Sequence, residues 1–206
     1  MKSKFMEVWN GVEEEGPSEW WKNQPEGGKK KRGGALKKGE DLTGDFDVVK
    51  GGTLSKSEFG YVLDTGDSEG FAVKKLDQPI QEKATFKLKY RSLAKDVTKN
   101  ACFCFGSSAD NDKLHKAGTL IGQHKHGAFD GTWANANLGA SKKDEFKAGD
   151  TFEATVTIDL EHGKVILLVG ETQVEHQLPS NLESVTHIGY YAKQTKSEFS
   201  VIEKVE

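Results

Sequence analysis

From residue 42 to its C-terminal end the sequence alternates apolar and polar residues with a period of two. The clearest stretch runs from Lys83 to Arg91, where Ala84, Phe86, Leu88 and Tyr90 alternate with Lys83, Thr85, Lys87, Lys89 and Arg91. A helix returns to the same face every 3.6 residues and scatters such a pattern around its circumference, whereas a strand sorts it onto two faces. The same period recurs in DTFEATVTID, where Phe152, Ala154, Val156 and Ile158 alternate with Glu153, Thr155, Thr157 and Asp159. It starts with Phe46 and Val48 and continues in FGYVLD, GFAVKK and NACFCFG, the last setting Phe103 and Phe105 on one face. Residues 118–126 and 128–134 read as two weaker strands. KVILLVG and TQVEHQL follow through the turn residues Glu161–Gly163 and Gly170–Glu171, so 152–177 reads as a three-strand meander. KVILLVG is apolar on both faces, which predicts a central, covered strand. HIGYYAK and EFSVIEKV close the chain.

About twelve short strands with no helical run between them predict an all-β fold, an antiparallel two-sheet jelly-roll sandwich over residues 42–206. The composition agrees: 23 glycines and only 4 prolines suit many tight turns. A chain of 206 residues buries roughly 70% of the surface its unfolded form exposes, so it needs no metal or disulfide to fold. No repeat of propeller or β-helix length is visible.

Residues 1–41 differ in character and read as an N-terminal extension and linker. They hold Trp9, Trp20 and Trp21, three of the four tryptophans. Met6, Trp9 and Val12 recur at helical spacing, which predicts a short helix over 4–15. Pro17 and the pairs Gly27–Gly28 and Gly33–Gly34 then punctuate a linker over 24–41, whose basic run Lys29–Arg32 reads as solvated charge. A net charge of −3 gives no basic excess, so nucleic acid is not an expected partner. No run approaches the 18 apolar residues of a membrane-spanning helix, and no membrane partner is expected. The first residues lack the apolar core of a signal peptide. The chain is therefore read as made without a leader, or as cut from a larger protein that is secreted or periplasmic.

Cys102 and Cys104 sit two apart on one strand, at about 7 Å, too far for a disulfide. Free thiols filling space on a sheet are expected, and no paired CxxC pattern of a zinc site occurs.

The residue order of the C-terminal part carries a family resemblance. DTFEATVTIDLEHGKVILLVGETQVEHQL reads as strand, hairpin, strand, turn, strand. HIGYYAKQTKSEFSVIEKV then reads as a glycine-aromatic strand, a polar turn, a phenylalanine and a last strand. FKLKYRSL followed by NACFCFG is similar to an outer strand followed by a small-aromatic-x-aromatic strand. Over 42–206 the chain resembles the concanavalin A-like lectin/glucanase superfamily, nearest its laminin G-like and 3-keto-disaccharide hydrolase-type domains. That resemblance implies two curved sheets with ligands on the concave face or its rim, and in some members one calcium ion at the sandwich edge. Acidic turns at Asp64–Asp67 and Asp110–Asp112 would supply its oxygens. WNGVEEEGPSEWW reads like the tail of an upstream domain, which makes an upstream catalytic domain a candidate partner.

Glycoside hydrolases of that superfamily carry a Glu-x-Asp-x-x-Glu strand, with two carboxylates flanking one glycosidic bond. The pattern is absent here, and Glu153 and Asp159 lie about 20 Å apart along their strand. No GxSxG elbow occurs. His124-x-His126, near His115 and Asp130, sets two imidazoles on one strand face, as candidates for ligand binding or metal ligation.

Sugars are held by aromatic faces that stack on the ring and by amides or charges that fix the hydroxyls. HKHGAFDGTWANAN concentrates such groups, and Trp133, Asn135 and Asn137 alternate along an extended segment. Tyr191 falls on the face opposite Tyr190 and Ile188, so it reads as surface-directed. Lys83, Lys87, Lys89 and Arg91 form a row with no acid interleaved, which repels itself unless it is solvated or meets an anion such as a sulfated or uronic polysaccharide. The candidate binding set is therefore Trp133, Asn135, Asn137, Tyr191, Lys87, Lys89, Arg91, His124 and His126. These residues predict a non-catalytic carbohydrate-binding module that tethers an attached enzyme to a polysaccharide or oligosaccharide, with no cofactor or with calcium. Two other readings stay open: a laminin G-like interaction module, and a 3-keto-disaccharide hydrolase-type enzyme built around His124 or His126.

Overall fold

The computed structural model describes residues 46–93, 100–120, 125–129, 133–137 and 149–206. The segment 1–41, with its expected helix and linker, lies outside the described residues, as do His124 and Asp130.

Within these residues the alternation resolves into fifteen strands. They are β1 (Val48–Lys50), β2 (Thr53–Lys56), β3 (Tyr61–Asp64), β4 (Glu69–Ile80) and β5 (Lys83–Ser92). The middle of the chain forms β6 (Asn100–Gly106), β7 (Leu114–Leu120), β8 (Lys125–Phe129) and β9 (Trp133–Asn137). The last third forms β10 (Phe152–Asp159), β11 (Lys164–Val169), β12 (Thr172–Gln177), β13 (Val185–Lys193), β14 (Lys196–Phe199) and β15 (Glu203–Lys204).

The strands form two antiparallel sheets. One has seven strands in the order β1-β4-β13-β6-β7-β8-β9. The other has eight, in the order β12-β11-β10-β5-β14-β3-β2, with β15 pairing β5. The predicted all-β sandwich is therefore present. β10, β11 and β12 make the expected meander, and Gly163 and Gly170 take positive φ (61° and 58°) at its two turns. The weak strands differ from expectation. Their boundaries fall at 114–120, 125–129 and 133–137, because Gly118 and Gly127 sit as paired residues inside strands rather than at turns.

Between the sheets the inward halves of the alternating strands interdigitate. Phe86 of β5 stacks on Phe103 of β6 at 5.4 Å, and Tyr190 of β13 stacks on Phe199 of β14 at 4.5 Å. Both contacts join one sheet to the other, and all four rings are fully buried. A buried polar chain does the same: Tyr90 Oη lies 2.6 Å from Thr119 Oγ1, which lies 2.8 Å from His126 Nδ1. Each of these groups would cost free energy if buried alone, and here each has a partner.

One expectation needs correction. β11 is not a central strand covered on both faces. It is second from the edge, with Val165, Leu167 and Val169 buried while Leu168 is 39% exposed. An all-apolar run cannot by itself distinguish a covered strand from one that leaves apolar side chains on a wet face.

Candidate functional site

The candidate residues are spread over three places. Lys87, Lys89 and Arg91 stand on the outer face of the eight-stranded sheet, out of phase with the buried Phe86, Leu88 and Tyr90. The acids missing from the sequence of β5 come from its neighbours. Lys89 pairs with Glu153 of β10 at 3.2 Å, and Lys83 reaches the C-terminal Glu206 at 4.0 Å. Arg91 grips Glu198 of β14 through Nη2 at 2.6 Å and Nε at 2.7 Å, and its guanidinium lies 4.9 Å from the Phe59 ring. Burial would push the Glu198 carboxyl up, but hydrogen bonds from Ser57 and Arg91 outweigh it and leave the group below its ordinary value. Lys87 is exposed, between Thr155 and Glu203 in register. Two members of the row, Lys89 and Arg91, thus sit in cross-strand ion pairs.

Tyr191 lies on the other side of the sandwich. As the alternation predicts, it faces away from Tyr190 and Ile188. It is not open to solvent, however, with 2% of its surface exposed. It belongs to a second apolar cluster with Phe71, Val73, Cys102, Cys104 and Leu114, all on the outer face of the seven-stranded sheet. The Lys116 ammonium sits 5.2 Å from the Tyr191 ring centroid and donates to Asn111 O at 2.7 Å. The phenol donates to Glu69 Oε2 at 2.7 Å, and Glu69 Oε1 accepts from Asn111 Nδ2 at 3.0 Å. The physical reason for the miss is this polar roof, built from residues 69, 111 and 116, which no local pattern around 191 announces. Burial lowers the pKa of Lys116, opposed by the nearby Cys104 and Glu69. Burial likewise holds both cysteines as thiols, and they are free, as expected.

His126 is a core residue. Its ring packs edge-on to Phe152 at 5.5 Å, and Nδ1 meets Thr119. His115, on the same face of the sheet, stacks on Phe105 at 5.3 Å. His126 is 4% exposed, so it faces the sandwich interior and not a ligand surface. Asp64 Oδ1 accepts the Gly66 amide at 3.2 Å, closing an Asx turn. Asp110 is bound by Ser108 at 3.2 Å and lies 3.7 Å from the Lys50 ammonium.

Trp133, Asn135 and Asn137 occupy alternate positions of β9, the edge strand of the seven-stranded sheet. Their register partners on β8 are Phe129, Gly127 and Lys125. A polar cleft of about 320 Å³ opens elsewhere, between the β6–β7 and β12–β13 connections, with Asp112, Lys113, His115 and Asn181 in its wall. Sequence reading missed it because 112 and 181 meet only through the pairing of β13 with β6.

No family model matches the chain, and no curated protein sequence matches it. Solved structures do match in shape. The carbohydrate-binding module CBM66 from Bacillus subtilis superposes with a TM-score of 0.62 at 10% identity, over 77% of this chain and 94% of that one. The Lotus tetragonolobus seed lectin gives 0.52 at 10% identity, over 76% and 91%. Arcelin-5, a lectin-like defence protein from Phaseolus vulgaris, gives 0.51 at 11% identity, over 76% and 90%. The fold is therefore of the concanavalin A-like lectin type.

Proposed function

We propose that this chain is a non-catalytic carbohydrate-binding module. It holds a polysaccharide or oligosaccharide along the β9 edge through Trp133, Asn135 and Asn137, and tethers an attached enzyme to that glycan. One observation carries the choice of site. Among the described residues every tyrosine ring, and every phenylalanine ring apart from Phe129, is buried or half-buried, so none of these offers an open stacking platform. Stacking on a sugar needs an accessible aromatic face. The sequence alternation supports β9: Trp133, Asn135 and Asn137 take every second position of an edge strand, the spacing of a row of sugar contacts. The near-complete coverage of a carbohydrate-binding module of the same fold supports the same reading.

The pairing of Lys89 and Arg91 with Glu153 and Glu198 favours recognition by stacking and amide hydrogen bonds over recognition by charge. Binding is then expected to change little with salt, since only charge-based attraction is screened. The test is a panel of neutral and acidic polysaccharides, with product analysis on the same samples. Retention without released sugar, lost in Trp133→Ala and kept in Asn181→Ala, supports the module and its β9 site. Loss in Asn181→Ala alone moves the site to the end cleft. Released sugar overturns the non-catalytic reading.

A further inference from the structure

The β10–β11 turn brings together Asp159, Glu161 and His162, whose ligand atoms all lie within 4.8 Å of one another. We propose that this turn is a binding site for a divalent first-row transition ion of the zinc type, independent of the glycan reading. The donor chemistry decides the class. An imidazole with two carboxylates suits zinc, nickel or cobalt, whereas calcium and magnesium take all-oxygen sets.

The turn is also fixed in place. Asp159 Oδ1 accepts the His162 amide at 3.0 Å, and His162 Nδ1 lies 2.9 and 3.0 Å from the two Asp159 oxygens. Leu160 donates to Glu82 O at 2.9 Å, Gly163 to Leu160 O at 3.3 Å, and Leu178 to Gly163 O at 2.7 Å. Bonds to a neighbouring turn and to the segment after β12 thus anchor the loop that carries the donors. The Asp159 side chain is only 9% exposed, while His162 is 68% exposed, so the ion has a buried carboxylate on one side and free access on the other. Lys83 and Lys164 flank Asp159 in register and would repel a cation if free. Lys164 is held by Glu175 at 3.1 Å, and Lys83 faces Glu206 at 4.0 Å. An ion entering between Asp159 and His162 replaces their shared proton, and Glu161, exposed on the same turn, closes the third position. Water fills the rest of the coordination shell.

The test is titration of the metal-free chain with zinc chloride by calorimetry, and with cobalt chloride by visible absorption. One zinc per chain is expected, with a cobalt spectrum of mixed nitrogen and oxygen ligation, and no competition from millimolar calcium. His162→Gln is expected to weaken binding by at least about tenfold, the loss that even outer-shell changes produce. Glu161→Gln is expected to weaken it less, and His176→Gln to leave it unchanged. Asp159→Asn keeps an oxygen for the His162 amide, so the turn persists while binding weakens. Absence of saturable zinc binding, or binding that survives His162→Gln, overturns the proposal.

Discussion

The two outer faces of the sandwich are built from similar strand lengths but solve opposite problems. On the eight-stranded sheet, β5 and β10 alternate buried and solvent-facing residues, and the outer side is a lattice of cross-strand ion pairs. On the seven-stranded sheet, residues 70–73 of β4, 101–105 of β6 and 188–192 of β13 are buried on both faces. Its outer side is a second small core around Phe71, Tyr191 and the two thiols. A face that alternates can be read from one strand. A face buried twice can be understood only with the residues that cover it.

This difference can be broken by mutation. If the outer face of the seven-stranded sheet is a core, Tyr191→Ala and Phe103→Ala should both cost about 3–5 kcal/mol in denaturant unfolding. Lys87→Ala, on the other outer face, should stay within about 0.5 kcal/mol. A Tyr191→Ala cost below about 1 kcal/mol would put the two faces in the same class. Next in size is Gly118→Ala. A Cβ there runs into Ala101 O and comes within 2.9 Å of Cys102 Sγ, so overpacking should cost about 1–3 kcal/mol.

The polar face should show its own signatures. Glu198 has a depressed pKa in the folded chain, held down by Ser57 and Arg91 against its burial. Its stabilising contribution is therefore complete above the unfolded carboxylate range, about 4.3, and is lost as pH falls through the lower folded value. Glu198→Gln should flatten the acid limb of a stability–pH profile measured between pH 2 and 6, and an unchanged limb would remove Glu198 from the account. The smallest effect belongs to Lys89–Glu153. A double-mutant cycle should give about 0.2–1 kcal/mol, shrinking with added salt.

The same contrast explains what was legible in the sequence. The period of two in β5 and β10 was enough to assign an all-β sandwich and the inward rings. It also set Tyr191 on the face opposite Tyr190. It did not reveal that Tyr191 is roofed, because Glu69, Asn111 and Lys116 reach it across separations of 122, 80 and 75 residues. Nor did β5 alone show its counter-charges, since Glu153 and Glu198 arrive by pairing register with β10 and β14. His126 read as a candidate ligand because an imidazole at a strand position carries no mark of which face it takes. Its pairing with Thr119 decides that. The turn at Asp159 read as punctuation, although its spacing of three residues to His162 sets two donors side by side.

If the proposed β9 site is right, a glycan contacts that edge and leaves both broad sheet faces untouched. The most direct measurement is amide chemical-shift mapping of the labelled chain, titrated with whichever polysaccharide fragment the panel retains. Saturable shifts confined to residues 125–137 and their neighbours on β7, abolished in Trp133→Ala, are expected. Shifts centred on residues 83–91 of β5, or on the Tyr191 cluster, would contradict it.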